Sequence, residues 1–522
     1  MWDAETVAAS IPENYNASTT FIDENLAAGR GDRTAIHYEG QTFSYLQVGR
    51  MVNRLGNALL SIGVQREQRV LLLLPDSPEF AASFFGTMRI GAVPIPINTL
   101  LKAADYRYLF DDSRARVLIA HERLMGQVRE IRAGLSSLER VIVAGEPGEG
   151  ETAYEDFVDG QPDALEPAGT HKDEAAFWLY SSGSTGFPKG AVHLHHDMIH
   201  CADLYARNVL DIGEADRTFS VAKLFFAYGL GNNLYFPFRV GGSCVLHPGP
   251  PKPEEMFQVI DREKPTLFYC VPTMYAAMLQ IKDAEDRYDL SSLRLCVSAG
   301  ESLPAELFNQ WKKRFGVEIL DGIGSTEMLH IYLTNWAGRV TPGSSGTPVP
   351  GYDVKIVDEE GRPVPDGEIG NLWVKGESGS PFYWNKHEQS KQSMRGKWFV
   401  SGDKYSRDEE GHYWYSGRSD DMLKVGGIWV SPVEVENTLI GHPAVLEAGV
   451  IGQEDDDGLI KPKACVVLAE GHEGSDALAG ELTAFVREKI AAYKRPRWYE
   501  FVDALPKTAT GKIQRFRLRE KA

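Results

Sequence analysis

Apolar positions in this chain cluster into short runs rich in Val, Ile and Leu, at residues 70–74, 92–97, 117–120, 141–143, 177–180, 267–271 and 293–297. Between them lie longer stretches in which apolar and polar residues alternate with helical spacing. Continuous apolar runs of strand length predict strands covered on both faces, so the pattern predicts α/β layers. Residues 145–168 carry Gly, Pro and acids without periodicity and read as a solvent-exposed connection between two lobes. Around Pro363-Val364-Pro365-Asp366-Gly367 the chain turns to short strand-like segments and turn residues, which predicts a smaller β-rich subdomain. Beyond Asp420, two strand patterns (444–451 and 463–468) and a helical one (481–490) suffice for an α+β unit of about one hundred residues. The fold class expected is therefore α/β, with a large multi-lobed domain over 1–419 and a small α+β domain over 420–522. No internal repeat or low-complexity tract is present.

Length agrees with this division, since 522 residues exceed what one core supports. No run approaches the ~18 apolar residues of a membrane span, and the first residues hold Asp3, Glu5 and Glu13 with no basic or apolar block. A cytoplasmic protein without a membrane partner is expected. The cysteines, Cys201, Cys244, Cys270, Cys296 and Cys465, lack metal-ligand spacing, and mostly sit in apolar runs, so buried free thiols are expected. Fifty-five basic against seventy-three acidic residues give a net charge of −18, which argues against a nucleic-acid partner. The exception is the tail from Ala491, with nine Lys or Arg and three Asp or Glu. A solvated face and a seat for a polyanionic nucleotide both fit that tail.

The strongest local signal follows the run at 177–180: Ser181-Ser182-Gly183-Ser184-Thr185-Gly186-Phe187-Pro188-Lys189-Gly190. Glycines let such a loop close on an anion, while backbone N–H groups, hydroxyls and a lysine donate to phosphate oxygens. The ordinary P-loop spacing would need glycine where Pro188 stands, which weakens a kinase or GTPase reading. Four further segments follow in order: Asp321-Gly322-Ile323-Gly324-Ser325-Thr326-Glu327; Ser401-Gly402-Asp403; Gly417-Arg418-Ser419-Asp420-Asp421-Met422-Leu423-Lys424; and Pro506-Lys507-Thr508-Ala509-Thr510-Gly511-Lys512.

Together these segments resemble the acyl-activating, adenylate-forming superfamily of acyl-CoA synthetases, adenylation domains and luciferases. The resemblance implies a small mobile C-terminal domain, with Asp420 as hinge, and ATP, Mg²⁺ and coenzyme A as cofactor and co-substrates. Acyl adenylation brings a carboxylate to the α-phosphate of ATP, so cations and oriented donors must offset the repulsion of two anions. By resemblance Lys512 bridges carboxylate and α-phosphate, Thr326 donates to that phosphate, and Glu327 organises the metal. A Ser-Thr-Glu run also suits a helix cap. Ser181, Ser182, Gly183, Ser184, Thr185, Gly186 and Lys189 would hold the phosphates, and Asp403 and Arg418 the ribose. Gly300, Glu301, Asp321, Gly322 and Ile323 would flank the adenine.

The segments Lys223-Leu224-Phe225-Phe226-Ala227-Tyr228-Gly229-Leu230-Gly231 and Glu327-Met328-Leu329-His330-Ile331 are similar to those of bacterial benzoate:CoA ligases. The similarity implies an acid pocket with Phe226 at its gate and Ala227, Tyr228, Gly229, Ala299, Gly324, His330 and Ile331 around the ring. The run Val425-Gly426-Gly427-Ile428-Trp429 departs from the Val-Ser-Gly-Ile-Tyr of those ligases and bears on CoA access. The expected function is an ATP-dependent acid:CoA ligase acting on benzoate or a related aryl acid. Expected partners are a small carboxylic acid, ATP and CoA, with a homodimer left open. Competing readings are an aryl-acid adenylating enzyme serving a carrier protein, a ligase for another small or cyclic acid, a non-catalytic binding protein and a phosphoryl-transferring NTPase.

Overall fold

Six of the seven apolar runs become parallel strands of two sheets, and the seventh, 177–180, a strand of an antiparallel ribbon. The computed structural model describes residues 2–181, 187–419, 421–425, 428–455, 459–507 and 513–520. In the first sheet Val93–Pro96, Arg69–Leu73, Val117–His121, Arg140–Ala144 and Thr152–Ala153 lie side by side, all parallel. The second has nine strands; from Ile319–Gly324 through Leu295–Ser298, Leu267–Cys270, Arg217–Ser220 and Ser243–Leu246 to Thr34–Tyr38 they are parallel, with antiparallel strands at both edges. Helices cover both faces of such a sheet, which is why these runs show no polar alternation.

Between the two sheets, Ala175–Ser181 and Lys189–Leu194 form an antiparallel ribbon in which Ser181 pairs with Lys189. Unlike a P-loop, the Ser/Gly segment is thus followed by a strand, not a helix. The β-rich part is an antiparallel sheet of Asp353–Val357, Gly370–Lys375, Met394–Arg395, Trp398–Arg407 and Tyr413–Arg418. Along Trp398–Arg407 buried and less buried positions alternate, as one covered face demands.

The C-terminal segment builds a sheet of Val445–Glu454, Ile460–Leu468 and Trp498–Phe501. Its helix Asp476–Lys489 begins earlier than the apolar spacing predicts, because the Ser475 side chain accepts the Leu478 N–H and caps it there. Leu478, Leu482 and Val486 then form the buried stripe.

One sequence expectation is refined: the 145–168 connection is exposed along much of its length, as its composition predicts, but it is not structureless. It contains the helix Tyr154–Val158, with Tyr154 buried, and its later part, though exposed, is tied down by hydrogen bonds. Asn53 and Asn57 donate to the Asp163 and Pro162 carbonyls at 2.8 and 2.9 Å, and Arg89 to that of Leu165 at 2.8 Å. Side-chain donors from neighbouring helices satisfy a backbone that has no ladder of its own. All five cysteines are free and buried, and among the described residues no helix is long and apolar enough to cross a membrane.

Candidate active site

The strand Ile319–Gly324 delivers Thr326 and Glu327 into a tight turn. No helix follows, so Ser325-Thr326-Glu327 is not a helix cap. Instead Ser325 Oγ accepts the Met328 N–H at 3.2 Å and the Leu329 N–H donates to the Thr326 carbonyl at 3.1 Å. The chain then returns antiparallel as Ile331–Thr334, with Gly324 opposite Ile331. A Cβ on Gly324 would sit 2.5 Å from the His330 carbonyl oxygen, so only glycine permits this approach.

Glu327 is 8% exposed. Its Oε1 accepts from Ser181 Oγ at 3.1 Å and from Tyr383 Oη at 2.7 Å. The end of the ribbon and the acidic turn, far apart in sequence, thus share one carboxylate oxygen. Beneath them, His193 Nε2 donates to the Thr326 carbonyl at 2.8 Å, and His193 Nδ1 lies 2.7 Å from Asp197 Oδ2. Both His193 and Asp197 side chains are fully buried.

Asp403 and Arg418 face each other across two strands of the β-rich sheet. Arg418 Nη1 donates to Asp403 Oδ1 and to the Ser401 carbonyl, both at 3.0 Å. Ser298 pairs in register with Asp321, placing Gly300 and Glu301 beside Asp321, Gly322 and Ile323 at the carboxyl ends of neighbouring parallel strands. Crevices at such strand ends are where open α/β sheets bind ligands. Burial pushes the Asp321 carboxyl up to about 8, an effect softened by the Leu303 N–H.

Of the residues expected around the acid, Tyr228 and His330 come together, as do Gly324 and Ile331. Tyr228 Oη reaches the Cys270 and Val297 carbonyls, at 3.4 and 3.3 Å, so its ring is anchored to two strands of the large sheet. Its ring centroid lies 5.6 Å from that of His330. His330 Nε2 contacts the Tyr228 carbonyl at 3.3 Å and Asn232 Oδ1 at 3.1 Å. Burial lowers its pKa to about 3, so the ring is neutral at ordinary pH, and Nδ1 has no hydrogen-bond partner among the described residues. Ala227, Gly229, Ala299 and Ile331 are buried, while Phe226 is half-buried and packs on Phe225 with centroids 4.4 Å apart.

Ser182, Gly183, Ser184, Thr185, Gly186, Asp420 and Lys512 lie outside the described residues. Sequence reasoning missed Tyr383, His193 and Asp197. The density of histidines at His193, His195, His196 and His200 was the one available signal for the second pair. Nothing around Tyr383 marks it in sequence.

Among the described residues no three His, Cys, Asp or Glu side chains converge on a metal position. Glu327 does fit Mg²⁺, which takes few protein carboxylates together with substrate phosphates: its Oε1 is held by two hydroxyls, and its Oε2 engages no described residue.

Residues 23–384 match the family described as AMP-binding enzyme, and residues 434–512 its C-terminal domain. The chain is 50% identical to a benzoate–CoA ligase of Thauera aromatica, covering 98% of this chain and 97% of that one. It is 43% identical to a 4-hydroxybenzoate–CoA/benzoate–CoA ligase of Rhodopseudomonas palustris, over 97% and 94%. Among solved structures it is similar to an anthranilate CoA ligase in complex with anthranoyl-AMP, at 50% identity and a TM-score of 0.95, covering 99% of this chain and 98% of that one. It is also similar to a benzoate CoA ligase from Burkholderia xenovorans LB400, at 44% identity and a TM-score of 0.91, over 97% and 100%.

Proposed function

The chain belongs to the AMP-binding enzyme family, and from that premise we propose that its cleft activates benzoate or a closely related aryl acid. The reaction class is ATP-dependent, AMP-forming acid:CoA ligation. The acid carboxylate attacks the α-phosphorus of ATP and expels pyrophosphate; the CoA thiol then attacks the acyl-adenylate and AMP leaves. In this reading segment 181–189 seats the phosphates, Asp403 and Arg418 hold the ribose, and Gly300, Glu301 and Asp321–Ile323 flank the adenine. Thr326 and Lys512 donate to the α-phosphate and carboxylate as charge builds there. Glu327 would hold Mg²⁺, which supplies charge neutralisation for the triphosphate. Two chemistries with different partners in one cleft require its cover to be rearranged between steps, which supports a hinge at Asp420 and a division into domains 1–419 and 420–522.

The observation that carries the reading is the joining of the ribbon end to the acidic turn through Ser181 and Glu327, 3.1 Å apart, beside a neutral slot walled by Tyr228 and His330. A ring filling that slot gains roughly 25 cal/mol per Å² of apolar area buried, most of which acetate forgoes. ATP–pyrophosphate exchange over aryl and aliphatic acids, followed by mass analysis of the thioester, tests it. Benzoate should exceed acetate and palmitate in kcat/KM by at least tenfold; parity would remove the aryl assignment. The unpartnered His330 Nδ1 favours a second reading, in which a ring carrying a hydrogen-bond donor is preferred. A higher kcat/KM for 2-aminobenzoate than for benzoate would select it.

A further inference from the structure

Tyr383 lies in the loop after the β-rich strand Gly370–Lys375, and its side chain is 3% exposed. Three hydrogen bonds from main-chain N–H groups fix it. Residues 382–384 add to the edge of the ribbon: Ala191 bridges Tyr383, the Trp384 N–H donates to the Gly190 carbonyl at 2.8 Å, and the Val192 N–H to that of Phe382 at 3.3 Å. The Tyr383 N–H donates to Ser390 Oγ at 3.0 Å. The Trp384 ring, 4.6 Å from Trp178, locks the next position.

So placed, Tyr383 meets two groups of opposite charge. Its hydroxyl donates to Glu327 Oε1 at 2.7 Å, and its ring lies under the Lys189 ammonium, 4.5 Å from the centroid. The Ser380 N–H also donates to the Glu327 carbonyl at 2.7 Å, so the same loop grips main chain and side chain of one residue. Burial and the Glu327 charge hold the phenol protonated, with its pKa pushed far upward.

We propose that Tyr383 is a positioning residue that fixes the Glu327 carboxylate and the Lys189 ammonium relative to one another before ATP binds. A glutamate with both oxygens free must lose rotamer freedom when it binds a metal–nucleotide complex. Donors from Tyr383 and Ser181 confined to Oε1 remove that freedom beforehand and reserve Oε2. The ring meanwhile provides Lys189 with an apolar, electron-rich seat that leaves its N–H groups for phosphate. The two halves of the side chain thus do separable things: the hydroxyl acts on the metal side and the ring on the phosphate side.

The proposal rests on the adenylating function, and the test separates the two. The full-length wild type, Tyr383→Phe, Tyr383→Leu and Ser181→Ala proteins are compared by thermal melting, by equilibrium binding of metal-free ATP, and by Mn²⁺ affinity in the presence of ATP, read from water-proton relaxation. Both half-reactions are then assayed. Y383F is expected to weaken Mn²⁺ binding about tenfold, the loss of one hydrogen bond to a buried charge. Metal-free ATP binding and thioester formation from supplied acyl-adenylate should stay unchanged. Y383L should weaken metal-free ATP binding as well, because Lys189 loses its seat. S181A should cost Mn²⁺ affinity less than threefold, since it removes the longer of the two bonds to Oε1, 3.1 against 2.7 Å, and leaves that of Tyr383. Unchanged Mn²⁺ affinity in Y383F, or equal weakening of metal-free ATP by Y383F and Y383L, overturns the proposal. Should Y383F melt far below the wild type, a loss of tenfold or more in S181A overturns it on its own. A wild type that binds no ATP and exchanges no pyrophosphate with any acid would instead remove the functional reading.

Discussion

Asp403 and Arg418 stand opposite one another on adjacent antiparallel strands, and Arg418 Nη1 bonds Asp403 Oδ1 at 3.0 Å. The pair comes from two separate motifs, and the strand register alone brings them together. Arg418 holds one oxygen of a carboxylate that is 8% exposed; the second engages no described residue and suits two adjacent hydroxyls. Asp403→Ala should therefore weaken ATP binding by about ten- to a hundredfold, the range for hydrogen bonds to a charged group. Titration calorimetry checks it, with benzoate affinity as the unaffected control.

Lys512→Ala should suppress adenylate formation on the order of a hundredfold or more, while thioester formation from synthetic acyl-AMP and CoA stays near the wild-type rate. Two anions approach each other only in the first step, so only there is the charge required. Equal losses in both half-reactions, measured in single turnovers, would remove this role.

Asp321 makes stability pH-dependent in a defined direction. Its carboxyl titrates near 8 in the folded chain and near 4 when unfolded, so between those values the folded state holds the extra proton. Stability therefore falls as pH rises from about 4 to 8 and levels off above. Asp321→Asn cannot ionise and should lack this decline, gaining on the wild type by up to a few kcal/mol toward pH 8. Parallel melting curves for the ligand-free proteins from pH 5 to 8 would contradict it.

Ala227 and Gly229 both belong to the short helix Ala227–Leu230, beside the proposed acid slot, yet their enlargement should read out differently. Ala227→Leu should raise the KM for benzoate at least tenfold without changing ATP binding, because it fills space meant for the ring. Gly229 offers no such space: a Cβ there would lie 2.2 Å from the Lys223 carbonyl and 2.4 Å from that of Ala222. Backbone cannot yield as a flexible side chain can. Gly229→Ala should therefore lower the melting temperature and soluble yield before it changes specificity.

Much of the candidate site was legible because the residues proposed for it are marked locally. A Ser/Gly run ending in Pro188 and Lys189, an acidic turn at Thr326 and Glu327, and the segment around Tyr228 each carry their signal within about ten residues. The apolar runs likewise marked strands, six of them parallel ones, since a strand covered on both faces must be apolar throughout. The polar composition of 145–168 marked it as an exposed connection, which it is, but could not show the donors on Asn53, Asn57 and Arg89 that hold it, because they come from other helices.

By itself the sequence marked seven strand-forming apolar runs and the ordered motifs whose family resemblance gives the class of reaction. Only the tertiary structure decided that Tyr383 and Ser181 share Glu327 Oε1, that His193 carries the Thr326 carbonyl, and that Asp321 keeps its proton. These partners are separated by 56, 146 and 133 positions, so no window of sequence contains them. Protonation, too, depends on how much water the assembled fold excludes. A residue's type states what it can donate or accept; its partners and its charge are set by what packing places within 3 Å of it.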